Sequence, residues 1–450
     1  MNMNIPLPVK KETEQLIRLA LPIILSSLLQ MTYNIIDMIW VGHLGSAEIA
    51  AVGTAGFYIK LGWAISSVIT MGAMVLVSHN VGSNDKRALQ TYISTSVNAI
   101  IAMGALYSLV MLFLPQYLIG FFKIESVQVN TLAETYLKIS SVSVILSFLN
   151  LLFTSILNAH GKTKLSFRSV LYGNIINIFL DPLFIIVLDG GVAGAAWATV
   201  ISQLGSSVYF FYIIYKQDLI RIKWLDFSWI SLGKLIKIGS SVAIQRILFT
   251  LIAIVIGRIV ASWGTDAIAA QKLGLQVESI SFLLMGGLMQ STSIMTGQSF
   301  GAKKYAEIEQ IYRSGLKTAA WIGLVTTLIF VIFPDQLLLI FVRDPQTIAM
   351  GRSYLIIVGL SQLFMCLEML TAGTYNGQGL TKYPATVSVV FTSLRIPLAL
   401  YLGKETSLGI DGVWWSISIT SMMKGVVLYF LYRKRNAQLH ELAAAHNQPE

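Results

Sequence analysis

Asp37 closes the apolar run LIRLALPIILSSLLQMTYNIID, where an unaccompanied carboxylate would be costly. Ser26, Gln30, Tyr33 and Asp37 are spaced 4, 3 and 4, so a helix presents them on one face. Asn174, Asn177 and Asp181 are spaced 3 and 4 and form a second stripe. Thr199, Gln203 and Ser206 form a third. Three polar stripes on apolar helices are hard to place in lipid, so they are expected to face one another around a wet cavity. Desolvation penalises the charged form of a carboxylate, and a second carboxylate nearby penalises it further. An Asp37/Asp181 pair would therefore share protons and titrate as a unit. A group that takes a proton outside and releases it inside can turn a proton gradient into work. Alternatively, two carboxylates with amide and hydroxyl oxygens can hold Na⁺. Structural duty competes at each position. Asp181 precedes Pro182 and could serve a turn, and Asn177, Tyr33 and Thr199 could be interhelical glue.

The elements that carry these stripes follow from composition. The 450 residues are 55% hydrophobic and 12% charged, with mean hydropathy +0.69. A soluble domain carries about 25% charged residues, so the chain reads as a polytopic membrane protein. Twelve helical spans are expected, near 14–41, 54–80, 93–114, 131–157, 165–188, 194–215, 238–262, 270–299, 314–333, 350–376, 384–403 and 412–432. The loops HLGSAEIA, FFKIESVQ, DGGVAG, WGTDAIAA, FVRDPQT and GKETSLGID are almost free of Lys and Arg, whereas the loops on the other side are rich in them. That asymmetry predicts cytoplasmic termini. It also accounts for the net charge of +10 without a nucleic-acid partner. MNMNIPLPVKKETEQ lacks a small-residue cleavage site, so the first span is expected to act as an uncleaved anchor. Cys366 stands alone in an apolar run and reads as a small buried hydrophobe.

The two halves repeat. Gly45, Gly82, Pro115 and Phe122 match Gly264, Gly301, Pro334 and Phe341 at an offset of 219. NAHGKTK and NGQGLTK match at 218, as do GAAW and GVWW. Two six-helix halves in one orientation imply a pseudo-twofold axis along the membrane normal, an arrangement used by transporters. The expected organisation is an N-lobe over 1–215, a cytoplasmic linker over 216–237, a C-lobe over 238–435 and a cytoplasmic tail over 436–450. Trp224, Phe227 and Trp229 suit the linker either to the membrane surface or to an ordinary connection.

At this level the chain resembles the multidrug and toxic compound extrusion (MATE) transporters, and within them the DinF-like branch. The residues that carry the resemblance are Pro22, Gln30, Tyr33 and Asp37 in the first span, the loops GHLGSAEIAAVG, VGSNDKRA and NAHGKTK, and the stretches NIINIFLDPLF and GVAGAAWATVISQ. The resemblance covers about residues 11–435. It implies an all-α, twelve-helix, two-lobe exporter in a bacterial or archaeal cytoplasmic membrane. It also implies efflux of mostly cationic amphipathic compounds against inward protons or Na⁺. By motif match the cation site falls on Asp37, Asn177, Asp181 and Thr199, with Tyr33 nearby, Pro22 as a bend point and Gln30 lining the substrate cavity. From the stripes, Tyr33, Asn174, Asn177 and Gln203 are further cavity candidates.

Pro22 removes a backbone hydrogen bond and should kink its helix, either as a moving joint or as a fixed bend. Asp37 aligns with Ile256 in the second half, and Asp181 with Ile396 if Pro182 and Pro397 are matched. The scaffold is thus duplicated while these carboxylates are not. The second half is expected to have its own buried charges: Arg246, Arg258, Lys272, Glu278, Glu368 and Arg395. They are expected to pair, Arg246 with Glu368, or to line a cavity that admits anions. The sequence contains no Walker A pattern, zinc-ligand spacing or nucleophile elbow, so neither ATP-driven transport, a resident metal or cofactor, nor enzymatic hydrolysis is expected. The partners expected are the bilayer and small amphipathic molecules, with one chain able to hold a complete pathway. The rival expectation is a flippase for a lipid-linked or glycolipid substrate, for which Arg246, Arg258 and Arg395 would supply a cationic lining.

Overall fold

The computed structural model describes residues 11–217 and 226–446, with side chains to residue 435. Trp224 therefore lies outside the described residues, as do Arg221 and Lys223 of the expected linker. No strand occurs among the described residues. In a bilayer every backbone polar group must be satisfied within its own segment, and helices do this. The helices are α1 (Lys11–Gly42), α2 (Ser46–Ser83), α3 (Lys86–Phe113), α4 (Pro115–Gly120), α5 (Val127–Ala159), α6 (Thr163–Pro182) and α7 (Gly191–Gln217). The second half supplies α8 (Trp229–Ala261), α9 (Thr265–Gly301), α10 (Tyr305–Ile332), α11 (Pro334–Leu339), α12 (Pro345–Gly359), α13 (Gln362–Gly377), α14 (Lys382–Lys404) and α15 (Ile410–His446). A π-helical turn, Leu183–Val187, extends α6.

The twelve expected spans each fall on a helix or helix pair. Nine of these are long and apolar enough to cross a membrane by composition alone, and the pair α12–α13 makes a tenth. α9 and α15, of 37 residues each, are the more polar two. α9 carries Ser281, Ser291, Thr292, Ser293 and Thr296 on buried positions, so protein rather than lipid surrounds much of it. The single span expected over 350–376 is instead broken, with a 50° bend between α12 and α13. Its counterpart α5 runs unbroken for 33 residues. Gly359 at the break stands where α5 has Ser141, and the Gly359–Ser361 pair is of the kind that opens a helix.

The repeat is written into the backbone. Gly45 and Gly264 cap α2 and α9 with φ of 141° and 99°. Asn84 and Lys303 end those helices at φ 57° and 58°. Gly161 and Gly379 share φ values of 72° and 77°, and Gly191 and Gly409 share 52° and 55°. The first two pairs are 219 residues apart and the last two 218 (264 − 45, 303 − 84, 379 − 161, 409 − 191). Both flanks of α6 and α14 therefore hold the 218 register. In that register Asp181 corresponds to Ala399, not to Ile396, and the prolines are not equivalent. The counterpart of this carboxylate is apolar either way.

The chain forms two compact units, Pro22–Ala243 and Met1–Leu21 with Ile244–Glu450. The boundaries fall inside α1 and α8 rather than in the connection between halves. In the first unit, α2 and α8 cross with Gly72 against the Leu235 backbone and Gly239 against that of Val68. One glycine on each helix, set against the other helix's backbone, allows this close approach. In the second, Leu16 of α1 is fully buried in a cluster with Met285, Leu370, Tyr375 and Tyr432. Tyr354 and Trp414 pack edge to face in a second cluster, with ring centroids 4.9 Å apart.

Candidate functional site

Most hydroxyls inside these helices return to their own backbone. Ser78 donates to the Met74 carbonyl at 2.7 Å and Thr326 to that of Ile322 at 2.8 Å. Such residues need no partner in the core. The acids are different. Among the described residues, Asp37 and Asp181 are the carboxylates with buried oxygens that lack any hydrogen-bond partner: Oδ1 of Asp37 and both oxygens of Asp181.

The unit Pro22–Ala243 encloses a cavity of about 300 Å³. α1 lines it with Gln30, Tyr33 and Asp37, α6 with Asn174, and α7 with Thr199, Gln203 and Ser206. The three stripes do converge on one space. Asn177 and Asp181 do not line it; they are buried, 1% and 0% exposed, farther along the α6 stripe. Asp181 still lies within electrostatic reach of Asp37. Asn177 adjoins Asp181, but no hydrogen bond closes between them, and both polar atoms of Asn177 are unpartnered. Thr199 donates its hydroxyl proton to the Ala195 carbonyl at 3.1 Å, with Tyr33 and Tyr136 nearby. Gln203 is held by Asn150, whose Nδ2 donates to its side-chain oxygen at 2.9 Å. Gln30 reaches only Asn34, one turn on, at 3.4 Å. Pro22 is buried inside α1, which continues through it, and Ser26 donates to its carbonyl at 2.9 Å.

Sequence reasoning passed over several residues here, Tyr136, Asn150 and Lys60 among those lining the cavity. Tyr136 had a signal, since Tyr354 stands 218 residues on. Lys60 is a charge within the expected span 54–80 and was legible for that reason alone.

The unit containing Ile244–Glu450 has a cavity of about 330 Å³. Glu278, Glu368, Arg395 and Lys424 line it. The expected Arg246–Glu368 pair does not form. Glu368 accepts from Lys424 at 3.0 Å, both side chains being nearly buried. Arg246, Arg258 and Lys272 are exposed rather than buried. Lys424 was another charge the sequence reading omitted. Glu278 is buried and held by neutral donors, the Tyr354 hydroxyl and Gln362 Nε2, each at 3.1 Å. Replacing one partner of a buried ion pair strands the other, at a cost of about 3–5 kcal/mol. Lys424→Met is therefore expected to lower the thermal midpoint of the detergent-purified protein sharply. The double change Lys424→Met/Glu368→Met should recover most of the loss. A single variant as stable as wild type would show that the pair is dispensable.

Among the described residues, no three His, Cys, Asp or Glu side chains gather as metal ligands. A transported cation would rest instead on the unpartnered oxygens of Asp37, Asp181 and Asn177, which are hard donors of the kind Na⁺ or a proton accepts.

Twelve spans built from two repeats, each with a cavity lined by polar and charged side chains among apolar ones, are the architecture of a membrane transporter. The chain belongs to the MatE family, whose model matches residues 22–183 and 241–401. It is 25% identical over 433 residues to a probable multidrug resistance protein NorM of Thermotoga maritima, across 94% of this chain and 92% of that one. It is 24% identical to human multidrug and toxin extrusion protein 1, across 98% of this chain and 79% of that protein. A crystal structure titled as MATE in the bent conformation superposes with a TM-score of 0.90 at 22% identity, covering 97% of this chain and all of that one.

Proposed function

We propose that this protein is a secondary active multidrug exporter of the cytoplasmic membrane. It would exchange cytoplasmic amphipathic, mostly cationic compounds for inward protons, in preference to Na⁺, by alternating access. The observation that carries the reading is the pair Asp37 and Asp181, with buried oxygens that nothing among the described residues satisfies. An unaccompanied charge at such a site costs several kcal/mol, so these oxygens call for a proton or a small cation. Tyr33, Asn177 and Thr199 complete the coupling site in this reading. Gln30, Asn174 and Gln203 belong to the substrate cavity, and Lys60 stands at its edge as an opposing charge. The names of the relatives, multidrug resistance and multidrug and toxin extrusion, agree with drug-like substrates.

The test is transport by the purified protein in vesicles. A proton gradient at equal Na⁺ is expected to drive concentrative movement of ethidium, collapsed by an uncoupler. Movement that follows only a Na⁺ gradient would replace the proton with Na⁺. Transbilayer movement of a fluorescent lipid without ethidium transport would favour a flippase instead.

Pro22 is the bend point of α1 in this cycle, because its missing amide leaves one helical bond unmade. Structures trapped at low and high pH are expected to differ in α1 around Pro22. An unchanged helix would reduce the proline to a fixed kink.

A further inference from the structure

The two cavities are built from equivalent positions of the repeat. Tyr136 and Tyr354 line one each, as do Asn174 and Thr392, and Gln203 and Ser421. Each pair is 218 residues apart (354 − 136, 392 − 174, 421 − 203). Their charges do not correspond. Asp37 becomes Ile256. In the other direction, Glu278, Glu368, Arg395 and Lys424 take the places of Ile59, Asn150, Asn177 and Ser206. One scaffold therefore carries two electrostatic patterns.

Those four charges are unequally committed. Glu368 and Lys424 pair at 3.0 Å and cancel. Glu278 is held on both oxygens by the donors from Tyr354 and Gln362. Arg395 differs. Its Nε donates to Thr420 and one amino group to Ser421, each at 3.1 Å, which fixes the guanidinium plane. It makes no ion pair among the described residues, although Glu278 and Glu368 lie within electrostatic reach. A guanidinium fixed by two hydroxyls, facing a cavity and lacking a counter-charge in contact, is suited to bidentate binding of a carboxylate. The rest of the wall includes Phe249, Phe282, Met289 and Met369, which accommodate flat apolar groups of varied outline.

We infer that the cavity among α8, α9, α13, α14 and α15 is a second ligand site, which binds amphipathic organic carboxylates through Arg395. This goes beyond the cation-efflux reading and does not rest on Asp37. The second site would let one transporter handle molecules that carry an anionic group.

The test is fluorescence titration of the detergent-purified protein with three probes that share one ring system: dansylglycine (anionic), dansylamide (neutral) and dansylcadaverine (cationic). Binding is read without any ion gradient, so it is independent of whether export is proton-driven. Saturable binding of dansylglycine is expected, about tenfold or more tighter than dansylamide. Arg395→Gln should remove that preference, and Arg395→Lys should keep part of it, since a charged contact of this kind is worth at least that factor. Met369→Trp, which leaves Arg395 in place but fills the cavity, should block the site even if Arg395→Gln does not fold. Equal binding of the three probes, a preference for dansylcadaverine, no saturable binding, or a dansylglycine preference that survives both Arg395→Gln and Met369→Trp would each overturn the inference.

Discussion

Asp37→Asn is expected to abolish concentrative dye efflux from energised cells, by about two orders of magnitude or more, while dye binding to the purified protein persists. The side chain keeps its shape and its place on the wall of the 300 Å³ cavity. What it loses is the ability to change charge. Asparagine can neither take up a proton nor counter a cation, so the cycle loses the step that joins ion entry to substrate exit. Asp181 remains, but it lies off the cavity wall and fully buried, and it would act without its partner. The measurement compares efflux at matched expression, with binding measured on purified protein. Efflux equal to wild type would make Asp37 structural. The coupling role would then move to Asp181, or to Glu368 in the other unit. A variant that loses both binding and efflux would place Asp37 in direct contact with substrate.

The second large effect is on stability. Gly239→Val is expected to destabilise the protein by about 1–3 kcal/mol or more, the usual cost of overpacking. A Cβ at Gly239 would meet the Val68 carbonyl carbon at 2.6 Å, and one at Gly72 the Leu235 Cα at 2.8 Å. These are backbone atoms, which cannot swing aside as a side chain end can. The crossing of α2 and α8 must open, and its packing in the Pro22–Ala243 unit is lost. Gly257→Val on the same helix is the control, because nothing lies within 4 Å of a Cβ there. Thermal midpoints in detergent should separate the two variants clearly. Equal midpoints would mean that the crossing relaxes without cost.

The all-helical architecture, the repeat and the three polar stripes are legible in the sequence. Each of these is a one-dimensional property: long apolar runs force helices, a constant offset is visible as text, and a 3.6-residue period fixes which side chains share a face. The convergence of Gln30, Tyr33 and Asp37 with Asn174 and Thr199 followed, because polar stripes have nowhere else to go in lipid. The rest depends on how the helices pack. The tertiary structure put Asn177 and Asp181 off the cavity wall, since position along a stripe does not fix depth behind neighbouring helices. It gave Glu368 to Lys424 instead of Arg246, because an ion pair depends on which two helices meet and at what height. It divided α1 at Pro22 and α8 at Ala243 between the compact units, through contacts such as Gly239 on Val68 that no hydropathy pattern encodes. It also revealed that equivalent positions of the repeat line two cavities with different charges, since the offset names equivalent residues but only packing turns them into a wall.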